Sequence, residues 1–127
     1  MTADAAARVL VLIFDSPQRD LIVLALKRSG YAPVVCDELP RVRDLIAIHQ
    51  PAILLLDLVL PGMNGLDLLR ALAREGLLAG RFIMTVSAMG FPEVVRQAAM
   101  AGVHAFLVKP VRTDVMIERL KAAERGV

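Results

Sequence analysis

An aspartate, Asp57, closes a run of leucines in LLLDLVLPGMNG (54–65), a segment that otherwise looks built for burial. A buried carboxylate without a partner is costly, so a cation must lie close to it. Three further polar side chains stand in comparable places: Asp15 behind RVLVLIF (8–14), Ser87 at the end of RFIMTVS (81–87) and Lys109 at the end of HAFLVK (104–109). Taken singly, each has an ordinary explanation, Asp15 as a helix cap, Ser87 as a turn residue and Lys109 as a surface cation. Asp57 has none, because no helix begins directly after it. Two acids, a hydroxyl and an amine together suit a site that binds a metal ion and a phosphoryl group. Oxygen ligands hold hard cations, and the hydroxyl and ammonium donate to phosphoryl oxygens.

The elements that must position these groups alternate in kind. RVLVLIF (8–14) is continuously apolar, as a strand covered on both faces should be. Ser16-Pro17 predicts a helix start, with serine as cap and proline in the first turn. That helix carries Leu21, Ile22, Leu24 and Ala25 inward and stops at Gly30. APVVC (32–36) is a second strand, 40–49 a weaker helix closed by Pro51, and AILLLD (52–57) the third strand. Asn64 caps a helix with Leu66, Leu69 and Leu72 on one face. RFIMTVS (81–87) and HAFLVK (104–109) are the remaining strands, with helices at 92–101, between Pro92 and Gly102, and at 113–125. Strict alternation predicts a parallel sheet with helices on both faces. Ligands of such sheets bind beyond the carboxyl ends of the strands. All four polar residues fall at that edge.

Composition narrows the class. A length of 127 residues sets one domain, and 57% hydrophobic with 22% charged residues gives a generous core. Aromatics are only 4%, so the core is aliphatic. No apolar run approaches the roughly 18 residues that span a bilayer, and MTADAAAR lacks the basic start of a secretory signal. The single cysteine, Cys36, reads as a buried strand residue and cannot form an internal disulfide; a cytoplasmic location is the expectation. The net charge is +2 with arginines scattered along the chain. No direct nucleic-acid partner and no membrane partner is expected.

Five features together carry a resemblance: Asp15 with Pro17 behind the first strand, LLLDLVLPGMNG, the Ser87-Ala88 pair, FLVKP (106–110), and the spacing from Asp57 through Ser87 to Lys109. On these, and over nearly its whole length, the chain resembles the receiver domains of bacterial two-component response regulators. The resemblance implies a flavodoxin-like, doubly wound (βα)5 fold with a five-stranded parallel sheet in the order 2-1-3-4-5. It implies one receiver domain over residues 1–127 with no output domain, either a single-domain regulator or a piece cut from something longer. Asp57 would be the phosphoacceptor, taking a phosphoryl group from a histidine kinase or histidine phosphotransfer protein. Mg²⁺ would be held by Asp15, Asp57 and the backbone carbonyl of Val59. Lys109 would pair with the phosphoryl oxygens and, before phosphorylation, with Asp57. Ser87 would donate its hydroxyl to the phosphoryl group, and Phe106 would move into the space Ser87 vacates, switching a surface read by a downstream protein target. Such a domain is no enzyme beyond its own phosphorylation and dephosphorylation. The resemblance also implies a cis Lys109–Pro110 bond.

Two departures stand out. Receivers usually carry two adjacent acids after the first strand, and here the first of those positions is Phe14. Three carboxylates would neutralise Mg²⁺ and a lysine; two leave a surplus positive charge, so weaker Mg²⁺ binding is expected. Phe106 stands where a tyrosine is commoner, and it has no hydroxyl to engage. An alternative is a pseudo-receiver, an interaction module of the same fold that works without phosphate. A flavodoxin-like cofactor binder is a third reading. It would need a loop rich in Gly, Ser or Thr after the first strand, where FDSPQ places an aspartate that repels phosphate.

Overall fold

The computed structural model describes residues 6–126 and alternates strands with helices. In chain order these are β1 (Arg8–Leu12), α1 (Ser16–Arg28), β2 (Ala32–Val35), a 3-10 turn (Leu39–Arg41), α2 (Val42–His49) and β3 (Ile53–Asp57). There follow β4 (Val59–Leu60), β5 (Met63–Asn64), α3 (Gly65–Arg74), β6 (Phe82–Ser87), α4 (Pro92–Met100), β7 (Ala105–Val108) and α5 (Thr113–Glu124). The sheet runs β2-β1-β3-β6-β7, every pair parallel. With the two-residue strands β4 and β5 set aside, this is the expected order 2-1-3-4-5. Those two form a small antiparallel hairpin of their own.

Alternation of side chains along each strand splits the interior into two layers. Val9, Val11, Ile13, Leu55, Met84 and Val86 pack against Ile22 and Leu26 of α1 and Met116 and Leu120 of α5. Leu10, Leu12, Leu54, Leu56 and Ile83 pack the other way, against Val42, Leu45 and Ile46 of α2, Leu66, Leu69 and Leu72 of α3, and Ala98 of α4. Every residue of β3 is buried, as the centre of a sheet covered on both faces requires.

Four local expectations are corrected. On α1, Ile22 is buried as expected, but Leu21 and Leu24 are 64% and 44% exposed, and Leu26, one turn beyond Ile22, completes the buried stripe. β1 ends at Leu12, although Ile13 remains fully buried. Residue 15, rather than Ser16, holds the cap position of α1. The 40–49 segment enters its helix through the 3-10 turn, which accommodates Pro40 where a missing N–H costs nothing. Cys36 is buried one residue beyond β2, its Sγ donating to the carbonyl of Glu38 at 3.2 Å. Burial pushes its thiol pKa up.

The edge formed by the strands' amino ends is clamped by Arg81. Its guanidinium donates to the carbonyls of Leu77 and Pro51, both at 2.8 Å, and to Oε1 of Gln50 at 3.2 Å. Gln50 itself has left-handed backbone, φ 44°, which turns the chain sharply from α2 into β3. Arg8 adds a bond to the carbonyl of His49 at 3.0 Å. Among the described residues no helix is long and apolar enough to cross a membrane.

Candidate functional site

Sheet register brings the polar residues together at the opposite, carboxyl edge. Asp57 lies beside Val86, the neighbour of Ser87, and Ser87 lies beside Val108, the neighbour of Lys109. The backbone N–H of Lys109 donates to the carbonyl of Ser87 at 2.8 Å, so the chain stays in sheet-like pairing as it leaves β7. The Lys109–Pro110 bond is cis, as expected.

Asp57 is 4% exposed, and both of its carboxylate oxygens are engaged. Oδ1 accepts the backbone N–H of Val59 at 3.0 Å, and Oδ2 accepts from the ammonium of Lys109. This ion pair compensates the buried charge that the sequence makes conspicuous. Ser87 is fully buried, and its Oγ accepts the N–H of Met89 at 3.0 Å. That bond leaves the hydroxyl proton free to be donated elsewhere. Asp15 is exposed at the start of α1. Its carbonyl accepts from Arg19 N at 2.8 Å, but its side chain makes no cap bond. The capping explanation for Asp15 therefore accounts for its backbone and not for its carboxylate. β1 pairs with β3 up to Leu12 and Leu56, so the segment leading to Asp15 departs alongside Asp57.

The small hairpin decides where the Val59 carbonyl points. Val59 faces Asn64, Leu60 faces Met63, and Gly65 N donates to the carbonyl of Leu58 at 2.7 Å. Antiparallel pairs alternate between bonded and non-bonded, so Val59 and Asn64 form a non-bonded pair. Both polar groups of Val59 then face out of the hairpin, the N–H toward Asp57. The Val59 carbonyl on that side and two carboxylates are oxygen donors that suit Mg²⁺. Among the described residues, no group of three or more His, Cys, Asp or Glu is placed to hold a metal ion. Asp15 and Asp57 are the acids on offer. Phe14, in place of a third, is half-buried and packs against the core layer on the α2 to α4 side.

Phe106 is also half-buried against that layer, paired in register with Thr85 of β6. Thr85 is fully buried, and its Oγ1 has no hydrogen-bond partner among the described residues. An apolar groove of about 350 Å³ opens next to the phosphoacceptor candidate, lined by Leu58, Val59, Met63, Leu66, Met89 and Val94 among others. The larger groove, about 620 Å³, lies at the clamped edge around Arg81, Phe82 and His104, away from these groups.

Sequence reasoning passed over Gly65, which turns out to support Asp57 directly. A Cβ at Gly65 would sit 2.8 Å from both the Asp57 carbonyl oxygen and the Leu58 Cα. Those are backbone atoms and cannot swing aside. Gly65→Ala is expected to destabilise the fold by about 1–3 kcal/mol, the usual cost of overpacking, and to displace Asp57. Urea unfolding together with amide shifts at Asp57 and Leu58 checks this; an unchanged midpoint and spectrum would contradict it.

Comparison with known proteins gives a consistent outcome. The response regulator receiver domain model matches residues 11–121. The phosphate regulon transcriptional regulatory protein PhoB of Pseudomonas aeruginosa is 29% identical over 117 residues, covering 92% of this chain and 51% of PhoB. The chain thus spans about half the length of that relative. Among solved structures, the signal receiver domain of NarL from Mycobacterium tuberculosis superposes with a TM-score of 0.82 at 28% identity, covering 96% of this chain and 98% of that one. Chemotaxis protein CheY4 of Vibrio cholerae gives 0.84 at 19% identity, covering 93% and 98%, a likeness of fold.

Proposed function

The chain belongs to the response regulator receiver domain family, and from that premise we propose that Asp57 accepts a phosphoryl group and thereby switches a protein-interaction surface. The observation that carries this reading is the buried Asp57 carboxylate, held by Val59 N–H and the Lys109 ammonium beside the Ser87 hydroxyl. An Asp57 oxygen attacks the phosphorus of a partner's phosphohistidine, the P–N bond breaks, and the imidazole leaves. Transfer of this kind is mostly positioning and charge neutralisation. Val59 N–H holds one Asp57 oxygen in place. Lys109 can follow the incoming phosphoryl oxygens without leaving the edge, and the Ser87 proton is available to one of them. Mg²⁺, held by Asp15, Asp57 and the Val59 carbonyl, would supply positive charge against the phosphoryl oxygens. The donor is a histidine kinase or histidine phosphotransfer protein in the cytoplasm, and a downstream protein reads the switched surface. Drawing Ser87 toward the phosphoryl group opens room for Phe106, a population shift between two packings.

The test is labelling by acetyl phosphate with Mg²⁺. Wild type should gain one acid-stable, base-labile phosphoryl group, and Asp57→Asn none. Equal behaviour of the two would leave the pseudo-receiver as the better description.

Phe14→Asp is expected to tighten Mg²⁺ binding. A carboxylate ~5 Å from a divalent cation in water-like surroundings gains about 1.7 kcal/mol, or roughly 15- to 20-fold in affinity. Replacing the half-buried ring should cost about 1–2 kcal/mol of fold stability, less than for a fully buried phenylalanine. NMR titration of the amides around Asp15 and Asp57 reads the affinity, and an unchanged value would refute the charge argument.

A further inference from the structure

Met63 and Met89 come from different elements, the β4–β5 hairpin and the segment between β6 and α4, yet line the same apolar groove. They are 38% and 44% exposed, whereas Met84 and Met116 are fully buried. Their groove adjoins the candidate site: Leu58 follows Asp57 in the chain, Val59 N–H donates to Asp57 Oδ1, and Met89 N–H donates to Ser87 Oγ. Leu66 and Val94 complete its apolar wall, and its two polar members are engaged with the protein, Asn64 Oδ1 accepting the Leu66 N–H at 2.7 Å and Gln97 Nε2 donating to Glu93 at 3.2 Å. Thioethers accessible to solvent are open to oxidation, and the sulfoxide is polar and a strong hydrogen-bond acceptor.

We propose that Met63 and Met89 form an oxidation site that couples peroxide to the lifetime of the phosphoryl group on Asp57. A sulfur lone pair attacks one oxygen of hydrogen peroxide, the O–O bond breaks, and the departing hydroxide takes up a proton. Sulfur is oxidised by two electrons, the peroxide is reduced, and the products are a sulfoxide and water. The new S=O acceptors add water-orienting groups to a mainly apolar wall. Water then attacks the phosphorus more often, and the acyl phosphate decays faster. A sulfoxide reductase would restore the wall. The coupling to lifetime rests on Asp57 being the phosphoacceptor; the oxidation site itself does not.

The experiment treats the purified protein with hydrogen peroxide and maps each methionine by peptide mass spectrometry. Met63 and Met89 should be oxidised while Met84 and Met116 stay reduced. Met100, 75% exposed with its Sδ 3.5 Å from an Arg96 nitrogen, serves as the accessible control outside the groove. After labelling with acetyl phosphate and Mg²⁺, decay should be about three- to tenfold faster in oxidised protein. Met63→Leu combined with Met89→Leu should abolish the peroxide effect, and Met100→Leu should leave it intact. Equal oxidation of buried and groove methionines would overturn the proposal, as would a peroxide effect that survives the double substitution. Amide shifts at Leu58, Leu66 and Val94 on oxidation report the groove without phosphate. Those shifts with no label on Asp57 would support the oxidation site and defeat the phosphoacceptor reading.

Discussion

Lys109→Ala should destabilise the fold by about 2–3 kcal/mol in urea titrations without divalent cation, while Asp57→Ala should cost less than about 1 kcal/mol. The asymmetry follows from burial. The Asp57 side chain is 6% exposed and that of Lys109 is 24% exposed. Removing the lysine strands a largely buried carboxylate, with the Val59 N–H its one remaining hydrogen-bond partner among the described residues. Removing the carboxylate leaves an ammonium on a flexible stem that can turn to solvent. A fully buried pair would lose about 3–5 kcal/mol on breakage, and partial exposure of Lys109 reduces that figure. Millimolar Mg²⁺ should restore part of the loss in Lys109→Ala, because a cation held by Asp57 replaces the missing charge. Equal destabilisation by the two substitutions, or none by either, would show that the pair does not compensate Asp57 as its geometry implies.

The other large effect is kinetic. The phosphoryl group on Asp57 should be lost slowly, and Val59→Asn and Met89→Glu should each speed its loss by about tenfold, or roughly 1.4 kcal/mol of barrier. Hydrolysis requires a water in line with the bond from phosphorus to the Asp57 oxygen. Val59 and Met89, two residues beyond Asp57 and Ser87, flank the approach and are 66% and 44% exposed. Neither side chain can hold a water in place. Because both are exposed, the substitutions should leave the fold intact. Decay of labelled protein at saturating Mg²⁺ is the measurement. If neither variant decays faster, water positioning does not limit the reaction, and the charge lost at Phe14 becomes the explanation for a slow site.

The sheet was legible in the sequence because each strand is a short aliphatic run bounded by glycine, proline or a cap, and because strands alternate with longer segments. Asp57, Ser87 and Lys109 at the carboxyl edge were legible for a related reason: each polar side chain stands at or just past the end of such a run. The hairpin at Val59–Asn64 was not, since strands of two residues have no period to detect. Leu21 and Leu24 misled because LIVLAL offers apolar residues on every face of α1, and only packing selects Ile22 and Leu26. Gly65 escaped notice because a glycine after Asn64 reads as ordinary turn chemistry. Its actual constraint is the close approach of α3 to the Asp57 backbone, which no local pattern records.

The Arg81 clamp gives the sheet the mechanics of a beam fixed at one end. Its guanidinium joins the loop after α3 to the turn before β3, and Phe82 N adds a bond to the Ala52 carbonyl at 2.9 Å. Side-chain cross-links thus brace the strands' amino ends, whereas the carboxyl edge that carries Asp57, Ser87 and Lys109 is held by backbone bonds, Leu58 N to the Val86 carbonyl at 3.1 Å and Lys109 N to the Ser87 carbonyl at 2.8 Å.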